Sequence, residues 1–404
     1  MNILMVVEDL TVLAGTERSV MLATEGLKAA GHRLYLLHTG QGMVDGLVED
    51  ELALPDLFDM APYFEHAAVR ADLSRLKEFI SDHDIEIMHL HTVLRFGVCR
   101  RLLTRIPMVF TVHVVLCPNG ARYLWNERRV CDREIGIGCL TVGYTTKGCG
   151  HLGNSEPTGL GGFSRAMVQD RRIRAEVARC HRVIAPSHWM GKYLESNGTS
   201  RSKIRVVEPP IAAQRPTASS TSDGVPILSF VGRLVDFKGA DQLLRASALL
   251  DFEHRVVIAG GGPLKEQLRR LANEIGIGHR VSMPGQLSPE EADSLRLRSS
   301  VMVVPSMLPE AYGMVGPEAL ALGIPVAGYR VGGSTEWLAL GAPLTAEVDP
   351  GDVGGLARAI RRMVLKPPSD EERRSVAERI RATLAVSRHG DRLLSVYREA
   401  VAEF

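Results

Sequence analysis

The sequence contains no apolar run approaching the roughly 20 residues that a membrane-spanning helix needs. It also lacks an excess of charge of either sign. Lys and Arg number 48 against 47 Asp and Glu, a formal net charge of +1. That balance leaves no chain-wide electrostatic footprint for a nucleic-acid partner. There is no internal repeat at a 20–50 residue period and no extended low-complexity tract. The apolar start, Met1 to Val7, has no basic leader and is cut off by Glu8 and Asp9. It reads as a buried first strand rather than a secretion signal, and the expected location is cytoplasmic. Contact with a membrane surface stays open. Lys is scarce beside Arg, which base composition explains and which draws attention to Lys238.

What is present fits a soluble chain of two domains. The 404 residues are about twice a typical domain, and 45% hydrophobic with 24% charged content suffices for two cores. Short apolar runs alternate with amphipathic, helix-length stretches. Ile3–Val7, Leu34–His38, Ile85–His91 and Val109–Val114 read as strands, with helices over Glu17–Ala30 and Asp72–Ser81. The small, polar, Pro-bearing segment Ala212–Pro226 reads as a linker. The alternation then restarts. Ile227–Val231, Arg255–Ala259, Val301–Pro305 and Pro325–Gly328 read as strands. Asp241–Leu250, Pro263–Ile275, Pro289–Ser299 and Pro317–Leu322 read as helices. The expectation is an α/β protein with two Rossmann-like, doubly wound parallel sheets, residues 1–211 and 227–378, facing a cleft. The charged tail from Ser369 ends in a helix, 379–404, expected to pack back on the first domain.

Four pieces of the second half follow strands, where such sheets bind ligands. Gly232-Arg233-Leu234 with Lys238-Gly239 puts two cations in a Gly-flanked loop, which suits a diphosphate; by itself it is equally a solvated basic loop. Gly260-Gly261-Gly262-Pro263 allows a close-packed turn but is neither a G-x-G-x-x-G fingerprint nor a G-x-x-x-x-G-K-[ST] loop. Pro309 to Ala319 carries Glu310 and Glu318, with Gly313 between them and a helix starting near Val315. Free N–H groups at that start favour an anion, and the carboxylates can accept hydrogen bonds from sugar and ribose hydroxyls. Gly332-Gly333-Ser334-Thr335-Glu336 makes a turn into a helix with Ser334 as a candidate cap.

Together these motifs, with Gly15-Thr16-Glu17-Arg18 near the start, resemble the retaining glycosyltransferases of family 4 with the GT-B fold. The likeness runs from about Asn2 to Arg362. It implies transfer of a sugar from a UDP- or GDP-type nucleotide donor to a hydroxyl acceptor, in glycan or glycosylated natural-product synthesis, with no metal or cofactor required. Arg233 and Lys238 would neutralise the diphosphate. Glu310, with the N–H groups of Gly313, Met314 and Val315, would hold the donor sugar and phosphate, and Glu318 the ribose. Gly15 and Gly232 would lie near the donor, and His113 would reach the reacting centre. The chain departs from the family at Glu208-Pro209-Pro210, where many relatives have Asn-Gly after Pro, and at Val114, where an acidic residue is common. The same fold could instead serve an epimerase, a phosphorylase, a pseudo-glycosyltransferase or a non-catalytic sugar-nucleotide-binding protein. Retention of Arg233, Lys238, Glu310 and Glu318 argues against the last.

The stretch from Cys117 to His151 is long for a strand-to-helix connection. Its Cys117, Cys131, Cys139 and Cys149 could hold structural zinc or an iron–sulfur cluster, form disulfides, or remain free thiols. It is expected to belong to the first domain and to shape acceptor binding. Cys99 and Cys180 read as core residues. His89 and His91 read as structural histidines, and Arg171–Arg182 as a solvated helix face.

Overall fold

The computed structural model describes residues 1–8, 15–40, 46–58, 67–95, 97–102, 104–124, 126–127, 129–146, 149, 159–212 and 224–404. Residues 213–223 of the expected linker and 125, 128, 147–148 and 150–151 of the insertion lie outside that set. Two compact units emerge. The first holds residues 1–118, 164–212 and 384–404; the second holds 119–163 and 213–383.

The chain begins with β1 (Asn2–Val6), α1 (Gly15–Ala29), β2 (Arg33–His38), β3 (Asp50–Ala53), α2 (Ala67–Asp82), β4 (Ile87–Leu90), α3 (Val98–Leu102) and β5 (Met108–Thr111). A hairpin, β6 (Tyr123–Leu124) with β7 (Arg129–Val130), and the short turn α4 (Tyr144–Thr146) follow. The chain continues through α5 (Leu160–Arg179), β8 (Arg182–Ala185), α6 (His188–Ser196) and β9 (Ile204–Val206). The first unit's sheet has the order β3-β2-β1-β4-β5-β8-β9 and every pairing is parallel. Strands covered on both faces must be apolar along their length, and Ile3 to Val6, Ile87, Met88 and Leu90 are fully buried.

The second unit runs β10 (Ile227–Val231), α7 (Ala240–Ala248), β11 (Arg255–Ala259), α8 (Lys265–Glu274), β12 (Val281–Gly285), α9 (Pro289–Arg298), β13 (Val301–Val304), α10 (Val315–Ala321), β14 (Val326–Tyr329), α11 (Ser334–Leu340), β15 (Thr345–Val348), α12 (Val353–Leu365) and α13 (Asp370–Thr383). Its sheet, β12-β11-β10-β13-β14-β15, is also all parallel. The expected doubly wound α/β class is therefore what forms. Ser288 and Glu291 close a capping box at α9, with Pro289 at the first helical position.

Four details differ from the sequence reading. The tail is not one helix: it breaks at Leu384 and Ala385. α13 stays on α10 in the second unit, while α14 (Val386–Ala402) packs on α1, β5 and β8 in the first. The insertion groups with the second unit from Asn119 onward, because Ala121 and Tyr123 join that unit's core. Ser334 is not a helix cap. Its hydroxyl is buried, accepting from the Val331 N–H at 2.9 Å and donating to the Tyr329 carbonyl at 2.9 Å. The segment Arg171–Arg182 is not solvated throughout, since Arg182 is 5% exposed on β8 and pairs with Glu399 of the last helix and with Glu403 just after it.

Candidate active site

In each sheet the strand order reverses beside its first strand, between β1 and β4 and between β10 and β13. Ligands of open α/β sheets bind outside the carboxyl ends of the strands at such switch points. In the second unit the loops after β10 and β13 are the ones that carry Arg233, Lys238 and Glu310.

Backbone contacts lock these loops together. Gly239 has φ +72°, and a Cβ there would lie 2.1 Å from the Pro305 carbonyl oxygen. Only glycine allows that approach. The Met307 N–H also donates to the Phe237 carbonyl at 2.7 Å. The loop after β10 is thereby laid against the loop after β13, and Lys238 Nζ reaches Glu310 Oε1 at 2.7 Å. The Ser306 hydroxyl donates to the same oxygen at 2.5 Å. Lys238 and Glu310 keep 24% and 20% of their side-chain surface exposed, so the pair is open to a ligand. Burial alone would raise the Glu310 carboxyl. The charge of Lys238, hydrogen bonds from Lys238 and Ser306, and the charge of Arg233 outweigh it and hold the group below the usual carboxylate value. Arg233 is exposed, with its guanidinium 6.0 Å from the Phe237 ring centre.

Glu310 is fixed from behind by the fourth motif. It bridges to Gly332, and its carbonyl accepts from the Gly333 N–H at 2.8 Å. Gly313 turns with φ +83° just ahead of α10. The first intrahelical bond there runs from the Glu318 N–H to the Met314 carbonyl at 3.0 Å. The N–H groups of Gly313, Met314 and Val315 precede it, which is the anion-binding geometry of a helix start. Glu318 lies one turn further on and is 8% exposed. It is paired with Arg296 of α9, a residue that nothing in the sequence reading singled out. Gly232 follows β10 directly, and its N–H donates to the Ala259 carbonyl at 3.0 Å.

In the first unit, Gly15 opens α1 and is exposed. His113 lies past the end of β5, not within the strand as expected. Its Nε2 is 2.9 Å from His91 Nδ1. His89 is fully buried between the Tyr397 hydroxyl (2.6 Å) and the Thr111 hydroxyl (2.7 Å). Burial, then the neighbouring His389, pushes the His113 imidazole down to about 4, so it is neutral at pH 7. Among the described residues no three His, Cys, Asp or Glu converge in metal-holding geometry. Cys117 falls in the first unit and the other three in the second. No disulfide joins any of the six cysteines. Burial, then Cys131 and Cys139 nearby, raises the Cys149 thiol to about 11, and burial raises Cys180 to about 12. Neither is poised as a thiolate.

Comparison with solved structures shows the same fold across the whole chain. Sucrose-phosphate synthase from Thermosynechococcus elongatus superposes with a TM-score of 0.71 at 19% identity, over 100% of each chain. Anabaena Alr3699/HepE in complex with UDP gives 0.67 at 16%, over 98% of this chain and 99% of the other. Those likenesses show the fold. The family profile "Glycosyl transferases group 1" matches residues 215–383, and "Glycosyl transferase 4-like domain" matches 14–210. The chain belongs to glycosyltransferase family 4. Its sequence relatives include D-inositol 3-phosphate glycosyltransferase 1 of Catenulispora acidiphila, 37% identical over 43% of this chain and 44% of the relative. The D-inositol 3-phosphate glycosyltransferase of Mycolicibacterium smegmatis is 33% identical over 52% of this chain and 50% of the relative. The chain thus spans about half the length of the curated relatives it matches. Among the described residues no helix is long and apolar enough to cross a membrane.

Proposed function

We propose that this protein transfers a sugar from a nucleoside-diphosphate donor to a hydroxyl acceptor with retention of anomeric configuration. The observation that carries the reading is the meeting of Lys238 with Glu310 at the switch point of the second unit, under the charge of Arg233. A Lys ammonium has three donors, so the bond to Glu310 leaves it able to take a phosphate oxygen. Arg233 and the amides of Gly313, Met314 and Val315 add to the same task. Glu310 is the ligand for the donor sugar and Glu318 for the ribose. The first unit supplies the acceptor side, with Gly15 and His113 assigned to the donor and the reacting sugar.

The chemistry follows from charge. As the bond between the anomeric carbon and the phosphate oxygen breaks, negative charge builds on the leaving diphosphate. Preorganised cations and N–H groups stabilise that change at no reorganisation cost. The acceptor hydroxyl oxygen bonds to the anomeric carbon from the same face, and its proton passes to a leaving-group phosphate oxygen. Metal is not needed for these steps. The UDP in the HepE structure supports a nucleotide donor, and the names of the sequence relatives support a polyol or sugar hydroxyl as acceptor.

The test begins with thermal shifts in UDP, GDP and ADP and their sugar conjugates, because bound nucleotide stabilises by mass action. One base should stand out, and transfer from that donor should be detectable without added phosphate. Lys238→Ala should then lose at least ~2.7 kcal/mol of transition-state stabilisation, about a hundredfold in kcat. Unchanged turnover in that variant, or donor isomerisation without transfer, contradicts the reading.

A further inference from the structure

Glu318 does not enter the site alone. Its Oε2 accepts a hydrogen bond from Nη2 of Arg296, and Nη1 of the same guanidinium donates to Asp293 one turn earlier on α9. Arg296 is 2% exposed, and its Nε is buried with no partner among the described residues. Helix α9 is otherwise ordinary, capped by Ser288 and solvated at Glu290 and Arg298.

A buried ion pair is a poor way to join two helices. Desolvating both charges offsets most of their attraction, and apolar residues of similar volume often stabilise as well or better. What the pair does, and an apolar contact does not, is fix the plane of a carboxylate. A carboxylate offers about four lone-pair sites, so one guanidinium hydrogen bond orients it without exhausting its capacity to accept.

We propose that Arg296 is a positioning residue for the nucleotide ribose. It holds the Glu318 carboxylate in the plane that accepts the ribose hydroxyls, and so sets a preference for ribonucleotide over deoxyribonucleotide donors. The inference rests on the reading of Glu318 as the ribose ligand, and it goes beyond that reading by assigning the orientation to a residue that does not touch the donor.

The experiment is calorimetry on the full chain. UDP, GDP and ADP are compared with their 2′-deoxy and 3′-deoxy counterparts at one salt concentration, for the wild type, Arg296→Met, Arg296→Lys and Glu318→Gln. The readout is the ratio of ribo to deoxy affinity, which does not depend on the fraction of protein folded. In the wild type the best ribonucleotide should bind on the order of tenfold tighter than its deoxy form, the scale of a hydrogen bond to a charged group. Arg296→Met should bring the ratio near one while leaving the deoxy affinity nearly intact. Arg296→Lys should fall between, and combining Arg296→Met with Glu318→Gln should add nothing. If Glu318→Gln lowers the ratio and Arg296→Met does not, the positioning role is overturned while the ribose reading stands. A wild-type ratio near one, or a ratio unmoved by Glu318→Gln, overturns the ribose reading and the inference with it.

Discussion

Gly260 shows how single residues set the geometry of the second unit. Its φ is +143°, and a Cβ there would lie 1.8 Å from the carbonyl oxygen of Gly232. The oxygen is backbone and a Cβ is fixed directly to its Cα, so neither can swing away. The turn lies flat on the chain after β10, and the Leu234 N–H donates to the Gly261 carbonyl at 2.7 Å. By pattern alone the triple glycine reads equally as a close-packed turn or a plain one; in the fold it is the floor on which the Arg233–Lys238 loop rests. Gly260→Ala should cost at least about 2 kcal/mol of stability. Gly261→Ala is the control, because its Cβ would meet only a Gln286 side-chain atom at 3.9 Å and should stay within about 0.5 kcal/mol. Urea midpoints of the two variants test the contrast, and equal midpoints would contradict it.

Among the elements, α11 acts as a brace for the Glu310 loop. Trp337 is fully buried, and its indole N–H donates to the Tyr312 carbonyl at 2.8 Å. Its ring fills the space beside Gly316, where a Cβ would come within 2.4 Å of the indole. Trp337→Phe keeps most of the apolar contact but strands the Tyr312 carbonyl, which costs about 1–3 kcal/mol. The same change should speed amide exchange of residues 312–316 while β10 and β11 exchange as before. If exchange at 312–316 is unaltered, α11 is not the brace. The strands named from the sequence were legible because parallel strands buried on both faces read as short apolar runs, as Ile227–Val231 and Val301–Pro305 do; β3, β8, β9, β12 and β15 were not read. Helix starts were read less well. α8 begins at Lys265 rather than Pro263; α10 begins at Val315, the start read from its loop, and not at the Pro317 read from periodicity.

At the scale of the molecule, the first unit carries a pH dependence in its core. His89, His91 and His113 gather at the carboxyl ends of β4 and β5, and His389 of α14 bonds through Nδ1 to the Glu208 carbonyl at 2.8 Å. Glu208 is itself paired with Arg392, and the Tyr397 and Thr111 hydroxyls close the other side. Burial lowers all four imidazoles, with the neighbouring histidines adding to the effect at His89, His91 and His113; His389 falls to about 3 and His113 to about 4. A depressed folded value means that unfolding takes up protons. The stability these groups contribute is full above the ordinary value of 6.5 and is lost as pH falls toward 4. Each such group adds about 1.4 kcal/mol per pH unit to the slope in that window. Urea unfolding of the full chain at pH 7, 6 and 5 should show the first transition weakening steadily, and His389→Leu should flatten the slope by about one proton. A slope indifferent to His389 would contradict this account.

The sequence by itself determined the two α/β units, the order of their glycine-rich loops, and the chemistry gathered in them, because periodicity and loop composition are local properties of the chain. It was also sufficient to single out Arg233, Lys238, Glu310 and Glu318. Only the tertiary structure decided that Glu318 meets Arg296, that His113 meets His91, that Tyr397 reaches His89, and that the tail divides between the units. It also decided that Tyr123 of the insertion is buried in the second unit's core. Those outcomes depend on which buried polar groups find partners and which apolar side chains fill a given core. That choice is made between residues as far as 308 positions apart, where no local propensity reaches.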